Sequence, residues 1–291
     1  MKPIYLSFSS DSTFQTCGWQ YKLSRVDRIS EIEESMATMF GKVVHTAIYL
    51  YLKSEIDGAQ FTPSTFFEFE FKRRATEASL RLPAHWTMED FIASGRLMME
   101  RFVEFWERGD YEVVRDAAGE PILEREFKIM LPDNIVYTAI IDAVLRRKRD
   151  GWIIVTDWKT PAQASFPEFA LLSEQLTGYE VVVGAFLESL GLERIDGTMF
   201  VEMIKRKVPS KRGAMGPTVD EPTVVRMRTD EEKERWLEAR LETARNIRAG
   251  KFLRRPLSAF SSPCGLCGLR PKCLHDSMEG LMVRPYSRRS S

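Results

Sequence analysis

Two carboxylates and one lysine occupy neighbouring positions in a predicted β-hairpin. Alternating apolar residues over 135–144 predict its first strand, and a β-branched run over 152–155 predicts the second. Asp142 lies in the first strand, while Asp157 and Lys159 stand at the end of the second. Because successive strand side chains alternate faces, Asp157 and Lys159 share a side, and strand pairing brings Asp142 close to both. The pattern predicts a metal site with a water-positioning cation beside it.

Two other predicted elements offer further ligands. An apolar stripe predicts a long helix over 31–55, which carries His45 four residues after Gly41. A single helical histidine is more often a packing or surface group than a ligand, but an interior glycine costs about 1 kcal/mol and needs a reason such as a close approach. On the strand predicted over 122–130, before the hairpin, Glu124 or Glu126 could add a third metal carboxylate. The ordinary expectation for both side chains is exposure to solvent.

The four cysteines form a second chemical pattern. Cys264, Cys267 and Cys273 give the spacing C-x2-C-x5-C, with proline and glycine interspersed so that the backbone can wrap a small object. Three thiolates are one short of a closed zinc or iron–sulfur site, and Cys17 supplies the fourth. The spacing leaves zinc and a 4Fe–4S cluster both open, and disulfides are a poor third expectation in a cytoplasmic protein. Either group would clasp the first helix to the last segment.

Composition bounds the possible classes of protein. With 291 residues, 44% of them hydrophobic, the chain can bury the core of one large domain or two modest ones. Its 42 basic and 42 acidic residues balance, but residues 201–291 carry 20 basic and only 11 acidic side chains. Because basic residues cluster at 205–207 and 211–212, we expect this part of the chain to form a local surface that binds polyanions. The chain shows no export signal and no bilayer-length apolar run, so we expect a soluble cytoplasmic protein that does not bind membranes.

Periodicity predicts the remaining elements. Residues 64–110 are typical of two helices split near 82–84, with aromatic residues that serve as packing groups. A helix over 171–190 places Gln175 and Tyr179 four apart on one face. The other predicted elements are a short helix near the start, strands at 122–130, 198–204 and 223–227, and a helix at 230–251.

Taken together, these residues resemble the PD-(D/E)XK nuclease superfamily, specifically its RecB-like branch with the Cas4 and AddB nucleases and related phage exonucleases. Asp142 and the run Asp157-Trp158-Lys159 match the motif that names the superfamily. The resemblance covers most of the chain, and its other elements occur in the expected order. They are Ser9, Phe14, Cys17 and Tyr21 near the start, Gly41 and His45 as a helical G-x3-H motif, Glu124 on the strand before the core, Gln175 and Tyr179 as a Q-x3-Y helix, and Cys264, Cys267 and Cys273 at the spacing of iron–sulfur members.

The resemblance implies an α/β fold with a restriction-endonuclease-like core, in which helices flank a central mixed β-sheet. It implies a single nuclease domain over residues 1–280 with a helical insertion or cap over roughly 55–115. An iron–sulfur clasp from residue 17 and residues 264–273 would join the two ends of this domain, and 281–291 would form a flexible tail.

The resemblance also implies a set of roles and cofactors. The metal would be Mn²⁺ or Mg²⁺, both hard cations that prefer oxygen, with an imidazole ligand tilting the preference toward Mn²⁺. A 4Fe–4S cluster is favoured over zinc at the cysteines. The implied roles are metal binding for His45, Asp142 and Asp157, catalysis for Asp142, Asp157, Lys159 and Glu124, DNA binding for Gln175 and Tyr179, and cluster binding for Cys17, Cys264, Cys267 and Cys273.

The function implied is a metal-dependent DNA exonuclease that prefers single strands or free ends, in bacterial or phage recombination, repair or DNA metabolism. No Walker sequence is present, so any helicase motor would be a partner protein. Two alternatives stay open. One is a Cas4-type CRISPR-adaptation nuclease acting in a complex, and the other is a non-catalytic subunit that binds DNA ends.

Overall fold

The computed structural model describes residues 2–166, 168–211, 213, 215–255 and 262–285. The helices are α1 (Phe8–Thr16), α2 (Gly18–Tyr21), α3 (Met36–Asp57), α4 (Pro63–Glu77), α5 (Met88–Glu107), α6 (Phe169–Leu172), α7 (Glu174–Gly184), α8 (Leu187–Leu190), α9 (Asp230–Arg248) and α10 (Arg270–His275). A π-helical turn (Lys22–Val26) and a 3-10 turn (Pro263–Leu266) accompany them. The strands are β1 (Ile4–Leu6), β2 (Ile29–Glu31), β3 (Glu34–Ser35), β4 (Leu80–Arg81), β5 (Tyr111–Val113), β6 (Leu123–Leu131), β7 (Ile135–Arg147), β8 (Ile153–Lys159), β9 (Gly197–Ile204), β10 (Thr218–Val219) and β11 (Leu281–Val283).

The chain divides into two compact units, each assembled from separate segments. The smaller unit comprises Met1–Glu34, Met130–Thr138 and Glu234–Ser291, and the larger comprises Ser35–Ile129 and Ala139–Lys233. The expectation that residues 1–280 act as one nuclease domain stays a prediction. None of the helices in the described residues is long and apolar enough to cross a bilayer.

A mixed sheet forms the centre of the larger unit. β7 and β8 pair antiparallel, β8 and β9 pair parallel, β9 and β10 pair antiparallel, and β5 and β6 pair with β7. The predicted hairpin is therefore confirmed, and its first strand runs three residues beyond Val144, to Arg147. Residues of β8 alternate as expected, so Trp158 is 1% exposed and packs edge-on against Phe102.

Helices α3, α4 and α5 cover this sheet with an aromatic core. The buried face of α3 repeats every three to four residues, and the rings of Phe67, Phe71 and Phe91 surround Phe40. The two helices predicted within 64–110 are confirmed, and most of their aromatic residues pack in the core as predicted, although Phe69 is 66% exposed. The long helix begins at Met36, five residues later than predicted, and Ile32 is 52% exposed.

The smaller unit is built around the two ends of the chain. β1 pairs parallel with the first residues of β7, and β11 pairs antiparallel with β2. A small apolar cluster contains Leu23, Ile29, Leu269 and Leu281. The prediction of a flexible tail from residue 281 is therefore wrong for Leu281–Val283, because Leu281 is buried and this segment donates a strand. The rest of that prediction, over 286–291, lies outside the described residues.

Two other predicted elements differ from the structure. The helix expected over 171–190 is divided into α6, α7 and α8, since the Ser173 side chain caps a new helix by accepting from Leu176 N at 3.2 Å. The strand expected over 223–227 is reduced to one bridge between Thr198 and Val225. Just beyond this segment, the backbone N–H of Arg228 donates to the buried Glu180 carboxylate.

Candidate active site

The larger unit brings four elements together around Asp142. β7 and β8 pair with Ala143 opposite Thr156, so one further step along the ladder sets Asp142 opposite Asp157. The backbone N–H of Trp158 donates to Asp142 Oδ2 at 2.8 Å, which fixes the carboxylate between the strands. α3 contributes His45, and β6 contributes Glu124.

Three potential ligands converge at this point. The ligand atoms of His45, Glu124 and Asp142 all lie within 4.8 Å of one another. His45 Nδ1 is 3.6 Å from Glu124 Oε1 and 3.5 Å from Asp142 Oδ2. One imidazole and two carboxylates match the donors that Mg²⁺ and Mn²⁺ take.

Glu124 reaches this group through an unusual backbone conformation. Its φ is +45°, in the left-handed region, although it lies near the start of a strand. A non-glycine residue there costs roughly 1–2 kcal/mol, and such residues cluster at functional sites. Glu124 Oε1 is also buried without a hydrogen-bond partner among the described residues. A buried carboxylate oxygen left without a donor fits a cation, so the residues present suit a divalent metal ion.

Asp157 lies outside that trio and belongs to a second network with Lys159, Gln175 and Tyr179. Lys159 Nζ is 2.5 Å from Asp157 Oδ2 and donates to Gln175 Oε1 at 2.9 Å. Gln175 Nε2 donates to Asp157 Oδ1 and to the Tyr179 hydroxyl oxygen, both at 2.8 Å. The Tyr179 hydroxyl in turn donates to Asp157 Oδ1 at 3.2 Å. The network holds Lys159 at the end of β8 with its ammonium fixed by two oxygen atoms.

The electrostatics of the site couple the two groups. Burial raises the pKa of Asp157, and the Asp142 charge raises it further, to about 6, against the opposing effects of Lys159 and His45. Burial lowers the pKa of His45, but the contacts with Asp142 and Glu124 and the charges of Asp142 and Asp157 outweigh it and raise the pKa to about 10. In the absence of a metal, the imidazolium therefore neutralises part of the carboxylate charge.

The predicted DNA-binding pair, Gln175 and Tyr179, contacts Asp157 directly, and Tyr179 is only 6% exposed. These contacts fix the Asp157 carboxylate, and binding of DNA by the pair stays a prediction. A Cβ at Gly41 would lie 3.4 Å from Thr160 Oγ1, which is an ordinary van der Waals distance, so close packing does not explain this glycine.

The four cysteines all belong to the smaller unit and are partly exposed. Burial raises the pKa of Cys267, and the charges of Cys17, Cys264 and Cys273 raise it further, so the four thiols are within electrostatic reach of one another. No three of these sulfur atoms, all in the described part of the chain, lie within 4.8 Å of one another. The structure therefore does not show a closed metal site at the cysteines.

Sequence reasoning missed a set of polar residues beside the candidate metal ligands. Thr38, Lys42, Thr46 and Tyr49 line a cavity of about 600 Å³ together with His45 and Glu124. The signal was their spacing of four, four and three, which places them on one side of a helix whose core-facing positions are apolar. Arg74 of α4 completes the lining, and nothing in the sequence alone connects it with α3.

A sequence model of the PD-(D/E)XK nuclease superfamily matches residues 5–274. The chain belongs to the PD-(D/E)XK nuclease superfamily. The mixed sheet flanked by helices fits the restriction-endonuclease-like fold of this superfamily, whose members are nucleases that use divalent metal ions such as Mg²⁺ and Mn²⁺. This membership implies a DNA substrate for the group formed by His45, Glu124 and Asp142. No curated protein matches the chain.

Proposed function

We propose that this PD-(D/E)XK protein is a metal-dependent DNA exonuclease that acts on single strands or free ends and carries a 4Fe–4S cluster. The single observation that carries the nuclease proposal is the junction of two groups at the end of the β7–β8 pair. One group offers ligands for a cation, and the other holds Lys159 beside Asp157. A site with only one of these groups could bind a metal ion or a phosphate group, but it could not cleave a phosphodiester bond.

His45, Glu124 and Asp142 would hold the divalent ion, and Asp157 faces Asp142 across the strand pair. A bound divalent ion acidifies water and offsets charge that develops on a phosphate oxygen. The Trp158 N–H keeps Asp142 Oδ2 in place, so this ligand does not have to reorganise when the substrate binds.

Lys159 has the position of a group that orients the attacking water. Its ammonium is partly exposed, with a side-chain exposure of 36%, while its partner Asp157 is 1% exposed. The buried Asp157 carboxylate and Gln175 therefore hold one side of the Lys159 ammonium, and its other side faces solvent. From there the ammonium can hold a water by hydrogen bonding, and its positive charge favours the deprotonated form of that water.

The preference for single strands or ends is supported by the helical segment between residues 55 and 115. Arg74 of α4 borders the same cavity as His45 and Glu124, so this segment forms one wall of the approach to the site. A wall at this position favours a threaded strand over a continuous duplex. Linear and circular single-stranded DNA of equal length test this part, because an exonuclease degrades only the linear form.

The proposal of a 4Fe–4S cluster rather than zinc is supported by the C-x2-C-x5-C spacing of Cys264, Cys267 and Cys273. This is the spacing of iron–sulfur members of the branch that the chain resembles, and Cys17 supplies a fourth thiol. Anaerobically purified protein should be brown with about four irons per chain, whereas colourless protein with stoichiometric zinc would contradict the proposal.

The catalytic assignment is tested by Asp157→Asn and Lys159→Ala, with cleavage of end-labelled single strands measured in Mn²⁺. Each variant should lose at least ~100-fold in rate while keeping its thermal unfolding profile. Lys72→Ala is the matched control, because Lys72 is an exposed lysine paired only with Glu68. Full activity in both active-site variants would refute the assignment. A wild-type protein that binds DNA but never cuts it would instead favour a non-catalytic subunit.

A further inference from the structure

The outward face of α3 carries a row of polar side chains. Thr38, Lys42, Thr46 and Tyr49 lie on one side of the helix, while Met39, Val43 and Ala47 belong to the buried core. From Thr38 to Tyr49 the row extends ~16 Å along the helix axis. These four side chains border an open cavity, so they are within reach of a ligand.

This row forms one wall of the cavity of about 600 Å³ that also contains His45 and Glu124. A cavity of this size accommodates a drug-sized molecule or roughly two nucleotides. Its lining includes one ammonium group from Lys42, one guanidinium group from Arg74, and the hydroxyls of threonine and tyrosine side chains. The one carboxylate in the lining, Glu124, belongs to the candidate metal ligands. The chemistry of the remaining surface suits phosphates and a base.

Arg74 is held for such a role by a buried carboxylate. Glu70 is 8% exposed and accepts from Arg74 Nε at 2.6 Å and from Arg73 Nε and Nη2 at 2.8 Å. The hydrogen bond from Arg73 lowers the pKa of Glu70 to about 2, against the opposing effect of burial and with the further help of Arg74, so the carboxylate stays charged. The terminal Nη groups of Arg73 are taken up by Glu70 and Glu77. Arg74 is anchored to Glu70 through its Nε and lines the cavity.

We infer that this cavity is the binding groove for the part of a single DNA strand adjacent to the cleaved phosphate, with Arg74 and Lys42 on phosphates and Tyr49 against a base. The inference rests on the proposed nuclease function, since it takes the strand to run from the groove to His45 and Glu124. Arg74 presents a fork that matches phosphate geometry, and Glu70 acts as its positioning residue. Base stacking on tyrosine is tolerant of sequence, as expected for a nonspecific strand.

Fluorescence anisotropy with a fluorescein-labelled 12-mer of thymidine tests the groove without cleavage, in Ca²⁺ and in a Lys159→Ala background. Arg74→Ala and Lys42→Ala should each weaken binding about tenfold, the loss expected from one charged hydrogen-bonded contact. Each should also make the negative slope of log K against log salt shallower by about 0.7, the value for one phosphate on a single strand. Tyr49→Ala should weaken binding with no change of slope, whereas Tyr49→Phe should bind as the parent does.

The matched control is Arg73→Ala, which removes the same charge from the same helix and the same buried partner but does not line the groove. It should bind within about twofold of the parent with an unchanged slope, as expected for an exposed ion pair. Equal weakening by Arg73→Ala and Arg74→Ala, or parental binding by both Arg74→Ala and Lys42→Ala, would overturn the inference. Failure of the nuclease proposal would be visible separately, as wild-type protein that binds the strand but does not cleave it in Mn²⁺.

Discussion

The Gln175 side chain should contribute to the rate of cleavage through Lys159 rather than through DNA affinity. It accepts from Lys159 Nζ at 2.9 Å and donates to Asp157 Oδ1 at 2.8 Å. Gln175→Ala removes both hydrogen bonds and leaves the ammonium with one anchor instead of two. The cation then samples more positions, and fewer of them place a water for attack.

The magnitude follows from those two contacts. A hydrogen bond to a charged group contributes roughly 1.5–3 kcal/mol, and the partly buried position of this pair favours the lower part of the range. A net loss of about 2 kcal/mol in the transition state corresponds to a roughly 30-fold lower kcat. Tyr179→Phe removes two hydrogen bonds, the one donated to Asp157 Oδ1 at 3.2 Å and the one accepted from Gln175 Nε2 at 2.8 Å. Because neither involves Lys159, the variant should lower kcat only about fivefold. Since both side chains contact Asp157 Oδ1, the fold-decrease in kcat of the double variant should be smaller than the product of the two single fold-decreases.

Single-turnover cleavage of an end-labelled oligonucleotide, at saturating Mn²⁺ and over a series of enzyme concentrations, separates rate from affinity. The control is Gln60→Ala, the same change at an exposed position, which should leave both quantities unchanged. Circular dichroism melting checks that each variant is folded. If Gln175→Ala kept its maximal rate and lost only affinity, Gln175 would be a DNA contact, and the account of Lys159 given above would be wrong.

Three further outcomes are expected. Cleavage should decline below about pH 6, because the pKa of Asp157 is raised to about 6 and the protonated carboxyl group no longer holds the Lys159 ammonium; a decline only near pH 4 would contradict this. Mn²⁺ binding at pH 8 should release a proton from His45, whose pKa is about 10 without metal, and calorimetry in two buffers of different ionisation enthalpy would detect it. Arg228→Ala should lower the free energy of unfolding by about 3 kcal/mol in urea titration, since it removes a buried guanidinium beside Glu180, and an unchanged midpoint would show the pair to be dispensable.

Local sequence patterns were sufficient for the elements that carry the candidate site residues. The alternation in β8 predicted that Asp157 and Lys159 share a face and that Trp158 takes the other, because side-chain direction in a strand depends only on position parity. The apolar stripe of α3 likewise predicted a core helix, although its start was misplaced by five residues. The patterns failed where one capping side chain divides an apolar run, as when Ser173 begins α7 within the helix expected over 171–190.

The sequence by itself determined that the chain carries the PD-(D/E)XK residues on a hairpin and a helix, since periodicity and motif order are local properties. Only the tertiary structure decided that Glu124 joins His45 and Asp142, while Asp157 turns to Lys159 and Gln175. The physical reason is that a left-handed backbone at Glu124 re-aims its side chain, and no periodic pattern encodes that conformation. In the same way, the groove beside α3 exists because Glu70 of α4 fixes Arg74 at its rim, a contact that depends on how helices pack.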